Sequence, residues 1–379
     1  MRIGLVAGEA SGDLLGAGLI RALREKVPDL SCEGVAGPAM RAEGCVAWEA
    51  ADALAVFGLI EPLKEIPRLL RLRRMLLQRW SSNPPDVFVG IDAPDFNLGL
   101  ETKLRRRGIP TAHYVSPTVW AWRQGRVRKI ARAADKVLCI LPFEKDFYRE
   151  QEVSAEFVGH PMADRIFSDP DTAAARRRLG MAAAQVVGVL PGSRKTEVSR
   201  LGPIFAAACA LLIEQRPALR FVAPMATGDI RRLFTQHLLE AGVSDFVSVL
   251  DGDADSAIAA ADVVLLASGT AALQTALYGR AMVAAYRVSP LTYAIARIFR
   301  LIKSPYITLP NLILGEQVVP ELLQGRATAE SVATAVGDLL SDEARRTTIE
   351  KRFARLRTEL AQGADQRAAE AVLELARRQ

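Results

Sequence analysis

The chain begins with MRIGLVAGEASGD (Met1–Asp13), a short apolar run followed by a glycine-rich polar turn. A second stretch of the same kind, VVGVLPGSRKTE (Val186–Glu197), stands near the middle of the chain. In both, the apolar run predicts a buried strand, and the residues after the glycine predict the start of a helix. Strands that lead through tight turns into helices build parallel sheets. The two stretches therefore predict two Rossmann-like halves.

Strand and helix patterns alternate along both halves. The first half has predicted strands at Ile3–Ala7, Val87–Ile91, Thr111–Val115 and Val137–Ile140. The helical patterns between them are Leu14–Lys26, Lys64–Trp80, Leu98–Arg107 and Gln124–Ala133. The second half has predicted strands at Val186–Leu190, Phe221–Ala223, Val247–Leu250, Val263–Ala267 and Met282–Ala285. This order is typical of an α/β protein whose parallel sheets are covered by helices on both faces.

The boundary between the halves is predicted at a turn-rich, weakly periodic segment, Gly159–Asp171. We therefore expect an N-terminal domain over residues 1–165 and a C-terminal domain over residues 166–340. Residues 341–379 are helical in pattern and strongly charged. We expect them to pack back onto the first domain or onto a partner chain.

The composition excludes several classes of protein. Half of the 379 residues are apolar and 24% are charged, which is incompatible with a disordered or disulfide-stabilised chain. The four cysteines form no C-x-x-C pair and the three histidines are far apart, so no zinc site is expected. The formal charge of +6 suits anionic partners. No uninterrupted apolar run reaches the length of a membrane span, so we expect a soluble or surface-attached protein.

Acidic residues follow the first predicted strand. The glycines of Gly8–Asp13 would let a ligand approach main-chain N–H groups at a helix start. The spacing is not G-x-G-x-x-G, so it does not predict NAD binding. Ser11 or Asp13 as a helix cap is the structural alternative, but it leaves Glu9 unexplained.

Two further carboxylates follow the strand Val87–Ile91. Asp92 and Asp95 flank Ala93-Pro94, and a carboxylate at a strand end can act as general base toward an alcohol. The structural interpretation is that Asp95 or Asn97 caps the next helix, and we expect that one of them does. Asp92 stands too early to cap well and is the stronger candidate for a functional role.

An aromatic and basic loop follows the third predicted strand. Ser116–Arg123 contains Trp120 and Trp122, which could line an apolar or sugar-binding wall. Packing against their own domain is an equally good interpretation.

Two turns in the second half are suited to phosphate. Pro191–Arg194 is not a Walker A motif, because Arg194 stands where glycine must precede the lysine. A glycine–serine turn, a helix start and a guanidinium are nevertheless suited to a diphosphate. Ser268-Gly269-Thr270 is a second turn of this type. A helix N-terminus stabilises an anion by only about 0.3–1 kcal/mol, so Arg194 is expected to contribute more.

The spaced aspartates of Asp251–Asp255 could suggest a divalent cation. The EF-hand pattern needs glycine sixth and glutamate twelfth, where the chain has Ser256 and Asp262. The segment is therefore predicted to be a capped loop leading into a helix over Ser256–Ala261, and no metal or cofactor is expected.

Two basic amphipathic segments could contact a membrane. Lys64–Arg79 has six basic residues against one acidic residue, interleaved with leucines, and follows the apolar Val56–Ile60. Arg297–Lys303 has the same character. Such segments are typical of membrane-surface patches, although a core helix with a solvated basic face gives the same pattern. Neither half contains a nucleic-acid-binding module, so no nucleic acid partner is expected.

Six motifs, in order along the chain, together resemble the lipid-A-disaccharide synthase family. They are Val6–Asp13, Gly90–Asn97, His113–Pro117, Val119–Arg123, Leu190–Arg194 and Leu309–Leu312. The resemblance implies a GT-B fold, with two Rossmann-like domains facing across a cleft and a helical C-terminal tail. It implies transfer of 2,3-diacylglucosamine from its UDP donor to 2,3-diacylglucosamine 1-phosphate, giving the lipid A disaccharide 1-phosphate and UDP. It also implies a cytoplasmic enzyme, peripheral on the inner face of the inner membrane; such enzymes can form intertwined homodimers.

The resemblance also implies roles for single residues. Asp92 matches the candidate catalytic aspartate, which would take the proton from the acceptor hydroxyl during displacement with inversion. Arg194 and Ser268-Gly269-Thr270 would stabilise the departing UDP in place of a metal. The acceptor side would include Glu9, Ser11 and Asp95.

On the donor side, Asn311 would face the sugar or phosphate. Gln274 stands where GT-B domains often hold the ribose with a glutamate. The functional alternatives are a UDP-sugar epimerase on the same fold and a non-catalytic membrane-surface adaptor.

Overall fold

The computed structural model describes residues 1–54, 61–120, 124–166, 170–181, 184–289 and 305–377. The chain divides into two compact units, Met1–Arg165 with Glu359–Gln379, and Ile166–Thr358. Residues 341–379 were predicted to pack as one piece. They are divided between the two units, because only the part from Glu359 onward belongs to the first unit.

The first unit is built on a seven-stranded sheet in which all neighbouring strands are parallel. The strands are β1 Arg2–Ala7, β2 Ser31–Ala36, β3 Val46–Ala50, β4 Val87–Ile91, β5 Thr111–Tyr114, β6 Lys136–Cys139 and β7 Ala155–Phe157. Their order is β3-β2-β1-β4-β5-β6-β7. The helices are α1 Glu9–Lys26, α2 Pro38–Ala42, α3 Glu61–Ser82, α4 Pro94–Arg105, α5 Val127–Ala133, α6 Pro142–Arg149 and α7 Pro161–Arg165.

The second unit repeats this plan with a six-stranded parallel sheet. The strands are β8 Val186–Leu190, β9 Arg220–Met225, β10 Val247–Asp251, β11 Val263–Ala267, β12 Ala281–Tyr286 and β13 Glu321–Leu323, in the order β10-β9-β8-β11-β12-β13. The helices are α8 Thr172–Arg178, α9 Lys195–Gln215, α10 Gly228–Glu240, α11 Ala254–Ala260, α12 Thr270–Leu277, α13 Leu309–Leu314 and α14 Ala329–Ser341. Two further helices complete the chain, α15 Glu343–Leu360 and α16 Ala364–Ala376.

The prediction of two parallel-sheet, Rossmann-like halves is confirmed. In each sheet the strand order reverses beside the first strand, between β1 and β4 and between β8 and β11. Ligands of open parallel sheets bind beyond the carboxyl ends of the strands at such a reversal. The turns after these four strands are the ones that carry the polar motifs, so the fold itself places them where ligands bind.

The last helix packs within the first unit. α16 lies against α1, and Ala368, Val372 and Leu375 are buried there. Lys136 of β6 pairs with Glu374 of α16 at 2.8 Å. A side chain at Gly18 of α1 would collide with the carboxylate of α16's Asp365, so glycine permits the close approach of the two helices.

One helix among the described residues, α9, is long and apolar enough to cross a membrane. Its Phe205, Cys209 and Leu212 are fully buried in the second unit. The core helix of a globular domain meets the same length and composition criteria.

Candidate functional site

The strand-order reversal of the first unit carries a cavity of about 520 Å³. The turns after β1 and β4 supply its polar rim, with Glu9, Asp92 and Asp95. Its wall is apolar and comes mainly from Leu54, Ile66, Leu69, Leu70 and Phe96. The cavity therefore combines carboxylates with a surface suited to hydrocarbon.

The main chain around Asp92 is held rigidly. Asp92 and Ala93 both adopt left-handed conformations, with φ of 51° and 43°, which cost free energy in non-glycine residues. The Asp92 N–H donates to the Tyr114 carbonyl at 2.8 Å. The buried Asn97 amide donates to the Asp92 carbonyl at 2.8 Å and to the Val6 carbonyl at 3.2 Å. These bonds offset the strain and fix the turn.

The side chain of Asp92 is left available by this arrangement. It lines the cavity and is half-buried, and no hydrogen bond to its carboxylate is found within the described ranges. By contrast, the exposed Asp95 pairs with Arg126 at 3.2 Å. Neither Asp95 nor Asn97 caps α4, because Ala93 is the N-cap and Asn97 holds the turn; the capping alternative was wrong.

The turn after β1 differs from the expectation in two ways. α1 begins at Glu9 rather than at Leu14, with Gly8 as N-cap, so neither Ser11 nor Asp13 caps it. Ser11 is exposed in the first turn of α1 and is not among the residues that line the cavity, whereas Glu9 is.

Asp13 has a structural role instead. Its buried carboxylate accepts the N–H groups of Gly37, Ala39 and Met40 at 2.8–3.0 Å, at the start of α2. It thereby satisfies main-chain donors that a helix start leaves without partners.

The loop after β5 is anchored by a buried glutamate that the sequence analysis missed. Trp120 Nε1 donates to Glu144 at 3.0 Å, and its ring packs edge-on against Phe143. Burial raises the pKa of Glu144 to about 7. The detectable signal was its position three residues after Leu141, where its carboxylate accepts the Leu141 N–H at 3.1 Å, as the glutamate of a capping box does. Trp120 therefore packs within its own domain, and Trp122 lies outside the described residues.

The strand-order reversal of the second unit carries a cavity of about 470 Å³. The ends of β8, β9, β10 and β11 and the turns after them form it, together with Tyr286 at the end of β12. Arg194, Ser268, Gly269, Thr270 and Gln274 all line it, so the structure brings these predicted donor-side residues together.

The two phosphate turns are not equivalent. In the first, Glu197 already accepts the N–H groups of Ser193 and Arg194, at 3.2 and 3.4 Å. This turn therefore offers mainly the exposed Arg194 guanidinium, whose nearest carboxylate oxygen, on Glu197, is 3.8 Å away.

The second turn is more open. Gly269 has a φ of 145° and no side chain caps α12. Ala272 donates its N–H to the Gly269 carbonyl at 3.1 Å, but the N–H groups of Thr270 and Ala271 have no partner in the described part of the chain. The Ser268 hydroxyl donates to the Ile307 carbonyl at 3.3 Å. A phosphate would therefore find its free main-chain donors at this turn and its positive charge at Arg194.

Asn311 does not face the donor. It is fully buried, and its Oδ1 accepts the N–H groups of Val318 and Val319 at 2.8 and 3.0 Å. Its amide donates to Glu321 at 2.9 Å, and Glu321 also accepts the N–H groups of Ile307 and Thr308. The residue holds the loop that contacts Ser268, and the prediction of direct contact with the sugar or phosphate is corrected.

The aspartate segment is a capped loop, as predicted. Asp253 accepts the Ser256 N–H at 3.3 Å and α11 begins at Ala254. Within the described residues, no group of three or more histidine, cysteine, aspartate or glutamate side chains is placed to hold a metal ion.

The first basic segment is partly folded back onto its unit. Arg68 of α3 donates to the Ala53 carbonyl, and Arg73 lies over the Phe96 ring at 4.9 Å. Arg71 and Arg74 are exposed, beside the exposed Ile66 and Leu70. Residues 56–60 and the second basic segment, 297–303, lie outside the described residues.

Comparison with known proteins identifies relatives over nearly the whole chain. The family model described as "Lipid-A-disaccharide synthetase" matches residues 3–376. A lipid-A-disaccharide synthase of Alkalilimnicola ehrlichii is 50% identical over 376 residues, covering 98% of each chain. One from Sodalis glossinidius is 50% identical over 377 residues, covering 99% of this chain and 98% of its own.

Solved structures of low sequence identity share the fold. The UDP-GlcNAc 2-epimerase of Neisseria meningitidis, bound to UDP-GlcNAc, has a TM-score of 0.67 at 10% identity over 99% of this chain and 100% of its own. The Anabaena protein HepE, in complex with UDP and glucose, has a TM-score of 0.59 at 14% identity, with the same coverage. With such neighbours the chain has the GT-B fold.

Proposed function

Because the chain belongs to the lipid-A-disaccharide synthase family, it is a UDP-sugar-dependent glycosyltransferase of lipid A biosynthesis, and we propose its specific reaction and the residues that perform it. The donor is UDP-2,3-diacylglucosamine and the acceptor is 2,3-diacylglucosamine 1-phosphate. The products are the lipid A disaccharide 1-phosphate and UDP.

The observation that carries the acceptor assignment is the cavity at the reversal of the first sheet. A diacylated sugar needs an apolar surface for its chains and a base near its hydroxyl. The wall formed by Leu54, Leu69 and Leu70 supplies the first, and the unpaired carboxylate of Asp92 supplies the second. Arg73 also lines this cavity and offers a positive charge to the acceptor phosphate.

The proposed step is a single displacement. Asp92 takes the proton of the acceptor hydroxyl as its oxygen attacks the anomeric carbon of the donor. The new glycosidic C–O bond forms as the bond from that carbon to the diphosphate breaks, and its electron pair leaves with UDP. Attack opposite the leaving group inverts the anomeric centre.

The leaving group is stabilised in the second unit. Negative charge grows on the diphosphate as the bond breaks, and preorganised donors aimed at that charge lower the barrier. The open N–H groups of Thr270 and Ala271, at the start of α12, and the Arg194 guanidinium are suited to this role.

We also propose that the enzyme works at the cytoplasmic face of the inner membrane. Both substrates carry acyl chains, so an enzyme that leaves the membrane surface must extract them into water. The exposed Arg71, Arg74, Ile66 and Leu70 of α3 form a basic and apolar surface beside the acceptor cavity. A homodimer that exchanges its C-terminal helices stays an alternative to a monomer.

One incubation tests the proposal against its competitors. The protein is mixed with both acylated substrates, and the products are analysed by mass spectrometry. A disaccharide 1-phosphate together with UDP is expected. An isomerised sugar formed from the donor alone would indicate an epimerase, and binding to vesicles without turnover would indicate an adaptor; either result would refute the proposed reaction.

A further inference from the structure

The amide of Gln274 is oriented by a neighbouring carboxylate. Gln274 lies on α12 and lines the cavity of the second unit. Its Nε2 donates to Asp255 Oδ1 at 2.8 Å. Because a carboxylate only accepts hydrogen bonds, the atom of the amide that faces Asp255 must be the nitrogen. The amide oxygen is then turned away from Asp255, and no partner for it is found in the described part of the chain.

Asp255 is itself held in place from two sides. The hydroxyl of Tyr278, one turn after Gln274 on α12, donates to the same Oδ1 at 2.8 Å. Burial and this hydrogen bond raise the pKa of Tyr278, so its hydroxyl stays a donor at neutral pH. Asp255 lies in the first turn of α11, whose cap Asp253 also bonds Arg178. The carboxylate cannot turn away from Gln274 without also breaking the hydrogen bond from Tyr278.

We propose that Asp255 is a positioning residue that presents the Gln274 amide oxygen to the ribose hydroxyls of the donor nucleotide. Asp255 does not line the cavity and acts through Gln274. The pair together provides one negative charge and one outward-facing acceptor, which a single glutamate would provide alone. The inference rests on the proposed function, because it requires a nucleotide in this cavity.

Exchange of the two groups tests this assignment. Gln274→Leu alone keeps the size of the side chain but removes both its acceptor and its donor. Asp255→Ala alone leaves the amide free to rotate. In the double variant Asp255→Asn with Gln274→Glu, the asparagine amide can donate to the new glutamate, so an acceptor faces the cavity again.

The measurement is calorimetric binding of UDP and of 2′,3′-dideoxy-UDP to the full-length chain. One hydroxyl hydrogen bond contributes about 0.5–1.5 kcal/mol, so wild type should prefer UDP by about three- to tenfold or more. Both single variants should lose most of this preference, and the double variant should regain it. Tyr278→Phe should give an intermediate preference.

The chain offers a matched control. Gln236 donates to Glu240 at 2.9 Å on the exposed surface of α10, away from the cavity, so Glu240→Ala should leave the preference unchanged. If the single variants weaken both nucleotides equally, Asp255 has only a structural role and the inference is overturned. If the double variant stays as poor as the single ones, the orientation argument also fails. Wild type that binds neither nucleotide would instead count against the proposed function.

Discussion

At the scale of single residues, the strained turn at Asp92 distinguishes the carboxylate that we propose as the base from its neighbours. Two consecutive left-handed non-glycine residues persist only where surrounding bonds hold them, and Asn97 and Tyr114 provide those bonds. Nearby Asp95 has a cation as partner and Asp13 has three main-chain N–H groups. Asp92 alone of these three carries a carboxylate with no such partner.

Asp92→Asn should abolish base catalysis without changing the shape of the turn. We expect kcat to fall by about 10²–10⁴-fold, because an amide cannot accept the hydroxyl proton. The dissociation constant of UDP, measured by calorimetry, should stay as in wild type. Asp52→Asn, an exposed substitution near the same cavity, is the control and should keep full activity. Undiminished turnover by Asp92→Asn would remove this residue from the mechanism.

Arg194→Ala should weaken UDP binding. A charge-assisted hydrogen bond contributes about 1.5–3 kcal/mol, so the dissociation constant should rise by about 10- to 100-fold. Arg200 is exposed on α9, the helix that begins just after Arg194, and does not line the cavity. The control Arg200→Ala should therefore bind UDP as wild type does. Equal affinities for the two variants would contradict the role of Arg194.

At the scale of elements, the continuous apolar strands were predictable, whereas several strands that carry polar residues were not. β1, β4, β8 and β11 are nearly continuous apolar runs, and the sequence analysis found each of them to within a residue or two. β2 was missed because Glu33 and Gly34 interrupt its pattern, and the short edge strands β3, β7 and β13 were missed because they carry polar residues. Gly34 is required there, since a side chain would collide with the Leu5 carbonyl of the neighbouring strand.

At the candidate site, residues in local patterns were predictable, and roles that depend on contacts made by folding were not. Residues that follow apolar strands were identifiable, because the ends of parallel strands form the ligand edge. The roles of Asn311 and Asp13 depend on bonds to residues brought close only by folding, and no local pattern reveals such partners. Glu197 is different, because it accepts the N–H groups of Ser193 and Arg194 from the first turn of the same helix, a local pattern that glutamate at this position indicates.

Asp13→Ala should loosen the junction of α1 and α2. It would leave three buried or part-buried main-chain donors without a partner, and each costs about 1–3 kcal/mol when unsatisfied, less where water can enter. We expect a loss of about 2–4 kcal/mol in the unfolding free energy of the first unit. All four tryptophans lie in residues 1–165, so urea unfolding followed by tryptophan fluorescence reports this unit. The exposed Ser11→Ala on the same helix should change stability little, and an equal loss there would contradict the assignment.

At the scale of the whole molecule, the buried Glu144 should make the stability of the first unit depend on pH. Burial raises its pKa from 4.5 to about 7 in the folded chain, while the unfolded chain keeps the ordinary value. Between these two values the folded state retains a proton that the unfolded state has released. The contribution of Glu144 to the unfolding free energy therefore falls as pH rises from 4.5 to about 7. The total fall is about 3 kcal/mol, and above this interval the contribution is constant.

Glu144→Gln should remove this dependence, because an amide does not titrate and can still accept the Trp120 N–H. As pH rises from about 5 to about 8, the unfolding free energy of wild type should fall relative to that of the variant. Tryptophan fluorescence in urea provides the measurement. A difference that stays constant over this range would show that Glu144 ionises normally.

The proposed substrates carry acyl chains, so the proposal places the whole molecule at a membrane surface, with the exposed basic and apolar residues of α3 as the proposed contact. A basic residue near an anionic bilayer contributes about 1 kcal/mol, so reversing two charges should be decisive. We expect wild type to sediment with vesicles that contain anionic phospholipid, and Arg71→Glu with Arg74→Glu to sediment far less. Arg345→Glu with Arg355→Glu, on exposed positions of α15, is the control for net charge and should sediment as wild type does.

Because Arg71 and Arg74 do not line the acceptor cavity, turnover of detergent-dispersed substrates should survive the α3 change while turnover in vesicles falls. Equal sedimentation of both charge variants would place the membrane contact elsewhere on the chain.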